Sequence, residues 1–306
     1  MKIMLIILQL TLFIVIAPFL SGLVSKVKNN LRMRRGQVIL QPYYNLSKLF
    51  SKNEVISETA SWIFRVAPFV VISSMLVCAL LIPVFVSKSP AYQAGDFLAI
   101  IFLFSLSRFF LALAALDTGS SFGGMGGSRE MFISSLAEAP FCMAIFAVSL
   151  QFGSTDISAF SGLHEVSVSS IAASLTLFLV AIAETSRVPV DNQETHLELT
   201  MVHEAMLLEY SGRSLALLEM AAHIKQLILF LLIAQIIFPV AWPVYADPAQ
   251  VFFWILWYLA RIMIIAVVVA SVEVSVAKMR LFRVVDFLGL AFVLGVVASV
   301  CAILGV

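Results

Sequence analysis

Residues 97–116 read FLAIIFLFSLSRFFLALAAL, a run with one ionisable side chain, Arg108. A helix that crosses the hydrocarbon core of a bilayer needs roughly 20 mostly apolar residues, so this stretch predicts a transmembrane helix. Seven more runs of the same kind stand at about 3–24, 64–86, 131–152, 166–184, 224–242, 251–274 and 285–305. Composition agrees with them: 61% of the 306 residues are hydrophobic, 12% are charged, and the mean hydropathy is +1.05. A soluble domain carries about 25% charged residues and is under half apolar. A water-facing surface cannot be assembled from this composition, which excludes a soluble enzyme. The expected architecture is an all-α integral membrane protein, one membrane domain over 1–306 with about eight transmembrane helices and two long loops, 25–63 and 187–223. The first run follows a lone Lys2, exceeds a secretory h-region and has no small-x-small cleavage site, so it reads as a retained helix.

Charge fixes the expected orientation. Lys26, Lys28, Arg32, Arg34, Arg35, Lys48, Lys52 and Arg65 follow the first run. Arg129, Arg187, Arg213, Lys225, Lys278, Arg280 and Arg283 fall on the same side, against only Lys2 and Lys88 on the other. By the positive-inside rule, both long loops face the cytoplasm and both termini lie outside, in the cell membrane. The net charge of +1 excludes a strongly basic nucleic-acid binder.

Several chemistries are excluded. Cys78, Cys142 and Cys301 are isolated in apolar runs, so this chain cannot alone hold an iron–sulfur cluster or zinc ribbon. All three read as small buried hydrophobes. His203-Glu204 opens like a zincin helix, but Leu207 stands where the second histidine is needed. The stretch from Gly119 to Arg129, with Gly123, Gly124, Gly126 and Gly127, has no Lys-Ser/Thr ending and is expected to form a tight interhelical turn.

Ionisable groups inside the apolar runs carry more information. Arg108, Glu138, Glu184, Arg261 and Glu273 each cost at least about 2.5–3.5 kcal/mol at a bilayer centre, so each should face the bundle interior and find a partner. Arg108, Glu138 and Arg261 lie too deep to reach headgroups together, which favours an ion route or a fixed internal ion pair. Glu184 and Glu273 are near run ends, where snorkelling is the alternative. The loop after the fifth run is the most acidic stretch, with Asp191, Glu194, Glu198, Glu204 and Glu209. In helical register Glu194 and Glu198 share one face. Their spacing fits equally a proton-sharing pair and the solvated face of an amphipathic helix.

The residues of this loop resemble a known signature. Glu184-Thr185-Ser186-Arg187-Val188-Pro189-Val190-Asp191, then Glu194, Glu198-Leu199 and Glu209-Tyr210-Ser211-Gly212, are similar to the pattern E-x-x-R-x-P-F-D-x-x-E-x-E-x-E-L followed by E-Y-S-G. That pattern belongs to the membrane subunit that anchors the hydrophilic arm of respiratory complex I and of membrane-bound [NiFe] hydrogenases. Arg34-Arg35-Gly36 through Gln41-Pro42-Tyr43 with Lys48, Ala67-Pro68, and Arg129 with Glu138 resemble three further elements of the family. Arg108-Phe109-Phe110 through Asp117-Thr118-Gly119-Ser120, and Glu273 through Lys278 and Arg280, resemble the formate hydrogenlyase and hydrogenase-4 branch. Three departures stand out: His196 replaces the middle Glu, Val190 replaces the Phe, and three extra residues separate Glu198 from Glu209. An imidazole at 196 can still relay protons near neutral pH.

The resemblance implies a non-catalytic subunit of an oxidoreductase complex that holds no cofactor itself. Hydrogenase-like large and small subunits would carry a [NiFe] centre and iron–sulfur clusters, and antiporter-like membrane subunits would move protons or sodium. It further implies ion coupling through Glu138, Glu184, Asp191, Glu194, His196, Glu198 and Glu209. Arg108, Arg129, Arg187, Arg261 and Glu273 would be charge partners, and Arg34, Arg35, Gln41 and Lys48 a docking loop. A quinone-site subunit of a complex I and a purely structural anchor are the competing expectations.

Overall fold

The structure is a computed structural model that describes residues 2–82, 95–157, 166–191, 202–239 and 248–305, with only the backbone described for 2–5 and 248–255. Ten helices order the described chain: α1 Lys2–Leu31, α2 Gln41–Phe50, α3 Trp62–Leu81, α4 Phe97–Asp117, α5 Ser121–Phe152, α6 Val168–Glu184, α7 His203–Leu207, α8 Gly212–Ile237, α9 Pro248–Ser275 and α10 Arg283–Leu304. Seven of them are long and apolar enough to cross a membrane, and α6, at 17 residues, is about one turn shorter. The chain is therefore a multi-pass membrane protein. Among the described residues the only β pairing is an isolated bridge between Asp96 and Asp156.

Each apolar run thus becomes a helix, and local chemistry sets where it starts. Asp96 caps α4, its carboxylate accepting from the Leu98 N–H at 3.1 Å, and Ser61 and Ser167 cap α3 and α6. The Gly-rich stretch is not an interhelical turn. Ser120 caps α5 by accepting from the Gly123 N–H at 3.1 Å, so the glycines form its first turns. Small residues there let neighbours approach: a Cβ on Gly126 would meet the Cβ of Ala205 on α7 at 2.7 Å. Likewise α8 begins at Gly212, well before residue 224, because its first three turns are too polar to register as membrane-spanning. The second loop accordingly ends at Ser211 and not at 223.

The helices pack as two groups sharing α8. One joins α5, α6 and α10; in the other α1, α3 and α9 pack on α8, and α4 packs on α3 and on α5. The side chains of α8 from Leu227 to Ala234 are all buried. This central helix therefore delivers polar residues into the interior. The ends of α1, α4, α6 and α9, the starts of α3, α5, α8 and α10, and helices α2 and α7 gather at one end of the bundle, here called the loop end. Of the three cysteines only Cys78 is buried, whereas Cys142 is exposed on the outside of α5.

Candidate functional site

The charges inside the apolar runs find one another. Arg108 and Ser105 lie one turn apart on α4, and Glu130, Ser134 and Glu138 follow each other along one face of α5. The Arg108 guanidinium donates to Glu138 at 2.7 Å and, through its other terminal nitrogen, to Glu184 at the end of α6. Ser105 also donates to Glu138, at 2.5 Å. The second oxygen of Glu184 meets the Lys225 ammonium of α8 at 2.6 Å. Four helices thus contribute to an alternating chain, Glu138–Arg108–Glu184–Lys225. The Arg108 and Glu184 side chains are only 6% and 3% exposed, whereas that of Glu138 is 42% exposed. The chain therefore runs from the interior to the side of the bundle.

A second node lies nearer the loop end. After Glu184 the backbone turns through Ser186, at φ 49°, which aims Arg187 back toward the bundle. Arg187 donates to Glu273 of α9 and to Gln226 of α8, the latter at 2.9 Å. Lys28 of α1 holds the other oxygen of Glu273 at 2.9 Å. Glu273 is 2% exposed, so neither it nor Glu184 snorkels: both are buried acids with two cations each. Just outside, Asp191 accepts from Lys278 at 2.7 Å and from the Val202 N–H at 3.2 Å. Met279 N–H adds a 2.8 Å bond to the Pro189 carbonyl, fastening this loop to the turn before α10.

The two nodes border two cavities. The inner one, about 460 Å³, is lined by Arg108, Glu130, Glu184, Arg187, His203 and Lys225, with Val71, Met75, Leu111 and Leu218 as apolar wall. The outer one, about 160 Å³, is lined by Lys28, Asn29, Gln37, Asp191 and Glu273. Ser21, Ser186 and Arg187 belong to both walls. Burial, reinforced by the Lys225 charge, pushes the His203 imidazole down to about 4, so it is neutral near pH 7 and can donate one hydrogen bond and accept another.

Other expected site residues lie elsewhere. Among the described residues Arg261 meets no carboxylate; it donates to the Phe238 carbonyl at 2.7 Å and to Gln235 at 3.2 Å, closing the end of α8, with its guanidinium 5.2 Å from the Tyr258 ring centre. Arg129 lies half-buried on α5 and Glu209 is exposed. Glu194, His196 and Glu198 fall outside the described residues. Sequence reasoning did not single out Glu130, Lys28, His203, Lys225 or Gln226 as site residues. Lys225 and Glu130 were visible as polar residues beside apolar runs, but their helices begin earlier than hydropathy indicates, and that places them inside.

The Glu209-Tyr210-Ser211-Gly212 stretch proves to be a clasp between the two loops. Tyr210 stacks on Phe64 with ring centres 4.0 Å apart and donates to the Phe64 carbonyl at 3.0 Å. The Ser211 hydroxyl accepts from the Val55 N–H at 2.8 Å and donates to the Val55 carbonyl at 3.0 Å, while Ser214 donates to Glu54 at 3.0 Å. Gly212 has φ 54° and lies against the backbone of Lys52 and Asn53. Beyond the clasp, Arg34, Arg35 and Lys48 are exposed beside exposed Val38, Leu40, Tyr44, Phe50 and Val55, and half-buried Gln41 donates to Asn45 at 3.0 Å.

Apolar crossing helices around a paired charge network that borders two cavities define a membrane protein with an ionisable interior. The chain belongs to the NADH dehydrogenase family, whose model matches residues 2–304. It is 34% identical over 235 residues to hydrogenase-4 component C of Escherichia coli (strain K12), covering 76% of this chain and 74% of that one. It is 30% identical over 278 residues to formate hydrogenlyase subunit 4 of the same organism, covering 89% and 90%. NADH-quinone oxidoreductase subunit 8 of Rhodothermus marinus is 29% identical over 65% of this chain and 60% of its own length. A chain of the membrane-bound sulfane sulfur reductase, an archaeal respiratory membrane complex, shares the fold with a TM-score of 0.83 over 97% of this chain and 99% of its own, at 17% identity.

Proposed function

We propose that this chain is the membrane subunit of a hydrogenase-type redox complex. It seats a hydrophilic electron-transfer module on its loop end, facing the cytoplasm, and couples electron transfer there to proton or sodium movement through antiporter-like membrane neighbours. The nickel–iron centre and iron–sulfur clusters belong to the partner module. The observation that supports coupling is the succession of buried ionisable groups. It runs from Asp191 and Lys278, past Glu273 and Arg187, through the inner cavity to Glu184, Arg108 and the half-exposed Glu138. The exposed basic side chains of Arg34, Arg35 and Lys48, with exposed Tyr44 and Phe50, supply the docking surface.

Glu138→Gln tests the reading. The amide keeps the shape and still accepts from Arg108 and Ser105, but it cannot carry a proton. Redox-driven ion uptake by membrane vesicles is expected to fall by more than about tenfold, a modest demand beside the 10²–10⁴-fold typical of positioned proton-transfer groups. The complex should still accumulate. Normal uptake by the variant sinks the route through Glu138, and loss of the complex instead of uptake favours a purely structural anchor.

One observation favours a second reading. The inner cavity, about 460 Å³, has the size and partly apolar wall of a small-molecule site. A quinone site predicts that a quinone analogue competes with electron transfer in the purified complex. Activity indifferent to a saturating analogue removes this alternative.

A further inference from the structure

Three ionisable side chains from three elements line the inner cavity: Glu130 of α5, Glu184 of α6 and His203 of α7. One cation of α8, Lys225, lines the same cavity as all three. Its ammonium lies 2.6 Å from Glu184 and 5.9 Å from the centre of the Phe104 ring, so an aromatic face stands where solvent would otherwise be. Arg108 holds the other oxygen of Glu184, but that guanidinium is pinned between two carboxylates and Ser105. Lys225 is a point charge on a flexible four-carbon stem. It is therefore the cation of the cluster that can change partner without dismantling the helix packing.

We propose that Lys225 is the positioning residue of this cluster: its ammonium, lodged between Glu184 and Phe104, sets how many protons Glu130, Glu184 and His203 hold together. The inference rests on the proposed coupling role and names the residue that poises it. Charged and titratable groups reach the cavity from most sides, Tyr210 of the second loop among them. Arg108 comes from α4, Glu130 from α5 and Glu184 from α6. Arg187, His203 and Glu204 come from the second loop and α7, and Glu219 and His223 from α8 itself. The walls from α1 and α3, Ser21, Val71 and Met75, bring no charge. Lys28 of α1 and Glu273 of α9 are engaged with each other beside the outer cavity, and Lys48 of α2 is exposed.

The test is an infrared pH titration of buried carboxyl groups in the intact purified complex, with bands assigned through Glu130→Gln and Glu184→Gln. Lys225→Gln is expected to move the carboxyl midpoint upward by roughly 1–3 pH units, the shift that a cation within about 4–6 Å confers. Lys225→Arg is expected to restore it. Because Lys225→Gln leaves Glu184 short of one partner, the double variant Lys225→Gln/Glu184→Gln is compared with Glu184→Gln alone, and against that reference the remaining Glu130 band should still move upward. Unmoved bands in the single and double variants overturn the proposal, and so does failure of Lys225→Arg to restore the midpoint. Ion uptake by the same preparations separates the two ideas. Uptake by the wild type with unmoved bands sinks the role of Lys225 alone; moved bands without uptake in any sample sink the coupling that it is said to poise.

Discussion

Replacing Arg108 by Met is expected to cost the bundle about 3–5 kcal/mol, the usual effect of removing one partner from a buried ion pair. The guanidinium serves Glu138 and Glu184 at once, about 14 Å along α4 from its loop end at 1.5 Å per residue. Met fills the space and supplies no charge. Glu184 keeps only Lys225, and Glu138 keeps only the Ser105 hydroxyl. The measurement is the melting temperature of the detergent-purified complex, together with its amount in the membrane; both should fall sharply. Arg108→Lys is expected to recover part of the loss, because a lysine carries the charge but cannot bridge two carboxylates with a planar fork. A Met variant as stable as the wild type would show that the network contributes nothing to the fold.

Gly212→Ala has the second largest expected effect. The residue has φ 54°, and an added Cβ would stand 2.6 Å from the Asn53 carbonyl oxygen and 2.8 Å from its carbon, both backbone atoms that cannot swing aside. The left-handed conformation costs an L-residue about 1–2 kcal/mol, and overpacking adds typically 1–3 kcal/mol. Gly153 provides the control: its φ is 62°, yet a Cβ there meets nothing within 4 Å. Gly153→Ala should therefore show the backbone term alone. Gly212→Ala should in addition open the clasp around Ser211, seen as faster proteolysis of loop residues 51–57. Equal melting temperatures for the two variants would mean that the loops are not held together at this point.

Much of the architecture was legible because hydropathy reports directly on which helices meet lipid. Runs such as 97–116 and 285–305 came within a residue or two of α4 and α10. The errors have one physical source. Where a helix continues past the apolar zone into polar sequence, as α5 does through its glycines and α8 through Gly212–His223, hydropathy stops and the helix does not. The site suffers from the same blindness. Arg108, Glu138, Glu184, Asp191, Arg187 and Glu273 announced themselves by being costly or by belonging to a recognisable loop. Lys225, Glu130 and Lys28 looked like edge charges. Arg261 shows the converse: a charge deep in an apolar run whose described partners are a backbone carbonyl and a side-chain amide.

The Glu273 node also has a consequence for biogenesis. The acid that neutralises Lys28 and Arg187 is carried by α9, so both cations precede in the chain the carboxylate that they share. Until α9 has been inserted, α1 and the turn after α6 each present a positive charge without this acid. This contact between α1, the turn after α6 and α9 cannot form before α9 has been made. One carboxylate on α9 thus ties together two segments far apart in the chain, α1 and the turn after α6.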